Sequence, residues 1–241
     1  LYMLHGRRRR KELRFERRRK VDSYSKITRN LVLTVLPVIF ATAVYNINSL
    51  IDVGVFTRAM EFFGKLAQKT PEKIADEAAG LYGLYSGTYI LLTNLPIAIS
   101  NSLSSSLIPN ISKHMAARDI RSVHRKIRMA LKFSMIIAVP SSIGLSILAT
   151  PIVRLLFRME DASMVPIAIG LIKYGSFSVI FFSLSTVTNG ILQGSGRMSR
   201  PLINAVFSLV IHLAALFAFL YVFKMGVFSL IYAHIVFGAS M

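Results

Sequence analysis

Cysteine is absent from this chain of 241 residues, and acidic residues are few. Without cysteine the chain has no disulfide framework and no thiolate metal site. Asp and Glu number 11 against 29 Lys and Arg, which leaves a net charge of +18. A balance this basic is typical of nucleic-acid-binding proteins when the charge covers one folded surface. Here the charge is concentrated in a few short segments, which argues against nucleic acid as a partner.

Catalytic, nucleotide-binding and metal-binding motifs are also missing from the sequence. The basic residues 7–29 do not resemble a secretory signal, because no short apolar core and cleavage site follows them. GSGRMS at residues 194–199 has neither of the glycine spacings that cradle phosphates, and we interpret it as a turn. The histidines show no metal-ligand spacing; they are His5, His114, His124, His212 and His234. We therefore expect neither an enzyme nor a bound cofactor.

Charged side chains are missing from six long apolar stretches. These are residues 30–51, 78–112, 133–153, 174–196, 201–223 and 225–241. A helix rises about 1.5 Å per residue, so about 20 residues cross a hydrocarbon core of about 30 Å. Five stretches are long enough to span a bilayer, and the sixth runs to the end of the chain. Buried core helices of a large soluble protein are the alternative, but uncharged runs of this length are the usual mark of membrane spans.

The predicted fold class is all-α: a polytopic bundle of transmembrane helices with six spans in this chain. The spans are placed at about residues 30–50, 81–108, 131–148, 166–192, 201–223 and 226–241, the last being truncated. Residues 30–241 would then form one transmembrane lobe, preceded by a basic loop at residues 1–29.

The basic residues are predicted to lie on one side of the membrane. Residues 7–29 hold 12 of the 29 Lys and Arg, residues 113–132 hold seven, and two more are Arg197 and Arg200. The opposite loops hold seven, which nearby acids nearly balance. Because cytoplasmic loops carry the excess of Lys and Arg, this pattern places the N-terminus of the chain in the cytoplasm.

Anionic lipid headgroups are expected partners of the basic segments. In the inner connection, Ile120, Val123 and Ile127 recur at helical spacing among Arg and Lys. This pattern predicts a basic amphipathic helix at about residues 113–128 that lies in the headgroup region. An ordinary solvated linker helix is the alternative.

Ionisable and amide side chains at membrane depth are the candidate binding residues, because burying them there is costly. Asp52 follows Asn48 by four residues, so the two share one helix face and are candidates to bind a coupling Na+ or H+. The alternative places Asp52 at the outer interface, hydrogen-bonded to water.

Lys173 lies inside the fourth predicted span. It is a candidate either to hold an anionic phosphate in a cavity or to extend its side chain toward the headgroups. Weaker candidates are Asn94, Asn189, Gln193 and His212, each of which would equally suit a hydrogen bond between helices.

Four segments of the sequence resemble one family of transporters. They read LPVIFATAVYNINSLID, SGTYILLTNLPIAISNSLSSSLIPNIS, PSSIGLSILATPIVRLLF and NGILQGSGRMSRPLINA, at residues 36–52, 86–112, 140–157 and 189–205. They are similar to the polysaccharide-transporter and stage V sporulation protein B branch of the multidrug/oligosaccharidyl-lipid/polysaccharide (MOP) superfamily, which is MATE-like in fold. His212 stands where that family often has Lys.

The resemblance implies a two-lobed fold of 12 to 14 helices around a cavity that opens alternately to each face. It implies a flippase that moves a lipid-linked saccharide, a polysaccharide or peptidoglycan precursor, across the plasma membrane. The chain would be the C-terminal lobe, and its partner would be a missing N-terminal lobe of the same protein.

Two other functions stay open from the sequence. A cation-coupled multidrug exporter of the same superfamily would show dye efflux that depends on an ion gradient and on Asp52. A non-transporting membrane scaffold for envelope or spore-coat synthesis would depend on the basic loops and not on a cavity.

Overall fold

The computed structural model describes residues 23–157, 159 and 161–241, and over those residues it contains helices and no strand. The α-helices are α1 (Tyr24–Leu66), α2 (Pro71–Leu84), α3 (Leu91–Ala116), α4 (Ile120–Ile147), α5 (Ala149–Leu156), α6 (Met164–Gly175), α7 (Ser178–Gly194), α8 (Arg200–Phe217) and α9 (Phe228–Ser240). Two π-helical segments are π1 (Tyr85–Ile90), which leads into α3, and π2 (Ala218–Val222), which continues α8. The predicted all-helical fold is confirmed.

The chain divides into two compact units, residues 1–36 and 37–241. Of the first unit, residues 23–36 are described, and they form the start of α1. Most of the predicted basic loop, residues 1–22, lies outside the described residues. The second unit holds the remainder of α1 and every later helix.

Among the described residues, three helices are long and apolar enough to cross a membrane: Tyr24–Leu66, Ile120–Ile147 and Arg200–Val222. The pair α6 and α7, bent by 44°, counts as a fourth if it is one broken span. The predicted count of six is higher than this. Two helices at predicted spans are not counted: α3 has 26 residues but is rich in serine and asparagine, and α9 has only 13 residues. The chain is nevertheless a multi-pass membrane protein, because several of its helices are long and apolar enough to cross a bilayer.

Two connections differ from the sequence prediction. Residues 53–66, which lie between the first two predicted spans, continue α1 to Leu66, and α2 begins at Pro71. Residues 113–128 do not form a separate interfacial helix. They belong to the end of α3 and the start of α4, which then continues through Pro140 to Ile147.

The turn between α3 and α4 is fixed by a helix cap. Arg118 adopts a positive φ of 56°, and the Asp119 carboxylate accepts a hydrogen bond of 3.1 Å from the Ser122 amide. Hydrogen bonding to the Ser122 side chain, together with this bond from its amide, holds the pKa of the exposed Asp119 carboxyl below its usual value. The turn therefore reverses the chain tightly, so that α3 and α4 lie side by side.

Helix α7 packs closely against α3 because two of its residues have no side chain. Gly190 and Gly194 are four residues apart, the spacing that lets membrane helices approach. A Cβ at Gly194 would lie 2.9 Å from the Ile111 Cβ and 3.0 Å from the Ile108 carbonyl oxygen. The close approach lets the Ser112 hydroxyl donate to the Gly194 carbonyl at 2.9 Å.

A hydrophobic core joins α1, π1, α6, α8 and α9. Its fully or nearly fully buried members include Phe56, Tyr89, Leu171, Leu216 and Leu230. Burial of this apolar surface holds α1 against α8 and α9. The polar groups described next lie on these three helices.

Candidate functional site

A buried acid and a buried histidine meet between α1 and α8. Asp52 Oδ1 lies 2.6 Å from His212 Nε2, and the two residues are 3% and 0% exposed. Asp52 therefore does not occupy the water-facing position that one interpretation of the sequence gave it. Its partner is on another helix, 160 residues along the chain.

The hydrogen bonds of His212 determine how many protons the pair holds. His212 Nδ1 lies 2.9 Å from the Ala233 carbonyl oxygen of α9. A carbonyl oxygen only accepts, so Nδ1 carries a hydrogen. A neutral ring then presents its lone pair at Nε2 to the Asp52 oxygen, and that contact needs one more proton between the two atoms. The pair is thus a site for one proton, as imidazolium with carboxylate or as imidazole with carboxylic acid.

Two unpaired polar atoms lie one helical turn away from this pair. Asn48 precedes Asp52 by four residues on α1 and is 5% exposed, and its Oδ1 has no hydrogen-bond partner among the described residues. Ser208 precedes His212 by four residues on α8, and its hydroxyl is likewise buried without a partner there. Buried polar atoms are normally hydrogen-bonded, so these exceptions indicate a functional region.

A polar cavity of about 480 Å³ lies between α1, α3 and α7. Of the residues that the structure describes, those that line it with polar groups are amides and hydroxyls, and none that lines it is charged. The polar lining includes Thr42, Tyr45, Asn94, Asn101, Asn189 and Gln193. The structure thus brings together three residues predicted separately from the sequence: Asn94, Asn189 and Gln193. The Asn189 amide donates to the Tyr45 hydroxyl at 3.2 Å, which fixes both side chains across the cavity.

Phe237 separates this cavity from the Asp52–His212 pair. Its ring meets Tyr45, a cavity residue, edge-on at 5.8 Å, and it meets the His212 ring edge-on at 5.6 Å. Tyr45, Asn48 and Asp52 follow one another on one face of α1, at intervals of three and four residues. The proton site is therefore buried and lies next to the cavity.

Lys173 lies outside the cavity. Its side chain is exposed, and its ammonium is 5.9 Å from the centre of the neighbouring Tyr174 ring. Its backbone carbonyl accepts hydrogen bonds from the hydroxyls of Ser146 and Ser176. This placement matches a side chain that extends toward the headgroups rather than one that holds a phosphate inside a cavity.

We therefore expect Lys173→Gln to change the stability of the protein by no more than about 0.5 kcal/mol, because exposed substitutions away from built contacts have small effects. The measurement is the apparent melting temperature of the purified variant in detergent. A loss of about 2 kcal/mol would instead show that the Lys173 ammonium makes a contact on which folding depends.

A second buried network was not predicted from the sequence. The Tyr89 hydroxyl lies 2.8 Å from His234 Nδ1 and 2.9 Å from the Ser178 hydroxyl. Room for the Tyr89 ring comes from Gly175, where a Cβ would collide with it. His234 follows Ala233, the acceptor of the His212 bond, by one residue. The only signal in the sequence was the presence of ionisable side chains at membrane depth.

The sequence also matches a known protein family over nearly its whole length. Residues 7–240 match the family described as lipid II flippase MurJ. The chain belongs to the MurJ family. The predicted resemblance to a MOP-superfamily flippase is confirmed at the level of this family.

Curated relatives of this MurJ-family chain include proteins from two bacteria. It is 23% identical over 192 residues to lipid II flippase MurJ of Bacillus subtilis (strain 168), covering 79% of this chain and 33% of that protein. It is 28% identical over 152 residues to the probable lipid II flippase MurJ of Aquifex aeolicus (strain VF5), covering 61% of this chain and 29% of that protein. The chain thus spans about a third of the length of the relatives it matches.

Two solved structures share the fold. A MOP superfamily transporter from Pyrococcus furiosus superposes with a TM-score of 0.67 at 19% identity, covering 86% of this chain and 41% of that one. A MATE family multidrug resistance transporter in an outward-facing conformation gives a TM-score of 0.63 at 20% identity, with the same coverages. The MurJ-family chain therefore has a MOP-transporter fold.

Proposed function

We propose that this chain is part of a flippase that moves a lipid-linked saccharide precursor of the cell wall, such as lipid II, across the plasma membrane by alternating access. The observation that carries this proposal is the polar cavity without charged side chains. Amide and hydroxyl side chains pair with the hydroxyl and amide groups of a saccharide, which an apolar drug does not offer. The curated relatives named as lipid II flippases support the same substrate class.

Transport would be coupled to a proton at the Asp52–His212 pair. With one proton shared, His212 ties α1 to α9, because its ring contacts both Asp52 and the Ala233 carbonyl. Without that proton, the Nε2 lone pair faces a carboxylate oxygen, and the contact is repulsive. Proton release therefore favours a different packing of α1, α8 and α9, which is the two-state element that alternating access needs.

The orientation of the chain in the membrane is part of the proposal. The basic residues 113–132, around the turn between α3 and α4, would lie in the cytoplasm, as would the turn that contains Arg197 and Arg200. The polar cavity then lies between helices whose cytoplasmic ends carry the positive charge.

Depletion of the protein tests the proposed substrate. Cells that lose it should accumulate undecaprenyl-linked saccharide precursor on the cytoplasmic side, measured by extraction of the lipid-linked pool. Normal precursor turnover in depleted cells would contradict the proposal.

Cavity substitutions test the site itself. We expect the double variant Asn101→Leu/Asn189→Leu to lower precursor transport about tenfold or more, because two hydrogen bonds to a bound polar ligand are lost. The matched control is Asn46→Leu on α1, whose side chain is exposed and does not line the cavity. Normal transport by the double variant, at normal protein level, would favour the scaffold function.

A further inference from the structure

An apolar groove of about 440 Å³ lies between α3 and α4. Its walls are two stripes at helical spacing. Helix α3 contributes Leu103, Ser106, Leu107 and Asn110, and α4 contributes Lys126, Met129, Ala130, Lys132, Phe133 and Ile136. The large side chains of the α4 wall are open to the surroundings: Met129 is 59% exposed, Phe133 51% and Ile136 59%. An exposed apolar surface of this kind indicates a hydrophobic ligand or a lipid.

The groove lies on the opposite side of α3 from the polar cavity. Successive residues of an α-helix are about 100° apart, since 3.6 residues make one turn. Asn101, Ser105 and Ile108 line the cavity, whereas Leu103, Leu107 and Asn110 line the groove. These two sets differ by about half a turn around the helix axis. The groove is therefore separate from the site of the proposed transport, and this inference does not depend on the transported molecule.

The length of the groove matches one leaflet of a bilayer. Lys126 and Ile136 mark its extent along α4, ten residues apart. At about 1.5 Å per residue this is about 15 Å, or half of a hydrocarbon core of about 30 Å. The apolar wall therefore extends from the headgroup level to about the middle of the membrane.

The charge of the groove is positive: Lys126 lies at the end nearer the start of α4, and Lys132 lies six residues further along. Side chains on a helix tilt toward its N-terminus, so the Lys132 side chain points back toward the Lys126 end. Lys126 and Lys132 are the charged residues among those that line it, and no acid from the described part of the chain does so. Lys126 is half-buried, so its methylene stem forms part of the wall while its ammonium stays near the headgroups. Asp119, the acid at the start of α4, is 3.4 Å from the His114 ring nitrogen and caps the helix. The lysines are thus placed to meet the phosphate of a lipid whose acyl chain fills the apolar wall.

We propose that the α3–α4 groove is a binding site for an anionic phospholipid of the cytoplasmic leaflet. One acyl chain lies along Leu103, Met129, Phe133 and Ile136, and the headgroup phosphate accepts hydrogen bonds from Lys126 and Lys132. The charge of the groove, together with its length of one leaflet, selects this occupant over a neutral lipid.

The test uses the purified intact protein in detergent, titrated with phosphatidylglycerol or with phosphatidylcholine of the same acyl chains. Bound lipid is counted by native mass spectrometry. We expect phosphatidylglycerol to bind about tenfold more tightly than phosphatidylcholine, and Lys126→Gln/Lys132→Gln to remove that preference. The matched control is Arg121→Gln/Arg128→Gln, which removes the same charge from exposed positions of α4 outside the groove.

A second pair of variants tests the apolar wall without changing charge. Ser106→Phe places a ring in the groove and should weaken phosphatidylglycerol binding about tenfold by excluding an acyl chain. Ser102→Phe is the control, since Ser102 is exposed on α3 and does not line the groove. The proposal is overturned if both double variants weaken binding equally, or if Ser106→Phe binds like the wild type. Displacement of phosphatidylglycerol by a lower concentration of undecaprenyl phosphate also overturns it, because the occupant would then be a polyprenyl lipid.

Discussion

Asp52→Asn should give a folded protein whose transport no longer responds to a pH gradient. The Asn amide can donate to His212 Nε2 while Nδ1 still donates to Ala233, so every contact of the protonated pair is kept without a titratable proton. We expect the gradient-driven part of transport to fall about tenfold to hundredfold, the usual range of a coupling free energy. The measurement is transport into or out of vesicles with and without an imposed pH gradient.

Removal of the other partner should affect folding instead. His212→Leu leaves a buried, unpaired carboxylate at Asp52 and should destabilise the protein by about 3–5 kcal/mol. Asp76→Asn is the control, because that acid is exposed on α2.

Transport by Asp52→Asn that still follows the pH gradient would exclude this pair as the coupling site. Transport that depends on Na+ at constant pH would show that the coupling ion is a metal cation and not a proton.

Gly194→Ala is expected to destabilise the protein by about 1–3 kcal/mol, because it overpacks the contact between α7 and α3. The added methyl would meet the Ile108 carbonyl at 3.0 Å and the Ile108 Cα at 3.2 Å. These are backbone atoms, which cannot rotate away as a side chain does. The apparent melting temperature of the purified protein in detergent measures the effect.

The matched control for this glycine is Gly144 in α4, where an added Cβ meets nothing within 4 Å. Gly144→Ala should be neutral or stabilising by up to about 1 kcal/mol, because alanine is the better helix former. Equal melting temperatures for the two alanine variants would show that the close approach of α7 to α3 contributes little to stability.

The sequence predicted the helices well and their joints less well. Long uncharged runs predicted an all-helical chain. The first span was predicted to end at about residue 50, yet α1 continues through the charged residues Arg58, Glu61 and Lys65. Charge alone does not end a helix, and Phe56 and Ala59 bury the other face of this segment.

The candidate site was predicted only in its local part. Asp52 and Asn48 could be placed together, because residues four apart in the sequence lie on the same face of a helix. The partner of Asp52 could not be predicted, because His212 is 160 residues away and only tertiary packing joins them. The glycines at 190 and 194 did carry a readable pattern, the four-residue spacing of small residues, which the sequence interpretation overlooked in favour of the turn that follows.

Helix α9 links two networks at consecutive residues: the Ala233 carbonyl accepts from His212, and the His234 ring contacts Tyr89. Neighbouring positions on one helix turn together, so α9 cannot rotate away from His212 without also pulling at Tyr89. Tyr89 lies in π1, which continues into α3, a wall of the polar cavity. A rigid helix of 13 residues is thus a mechanical linkage, by which the gain or loss of a single proton would be felt at the cavity wall.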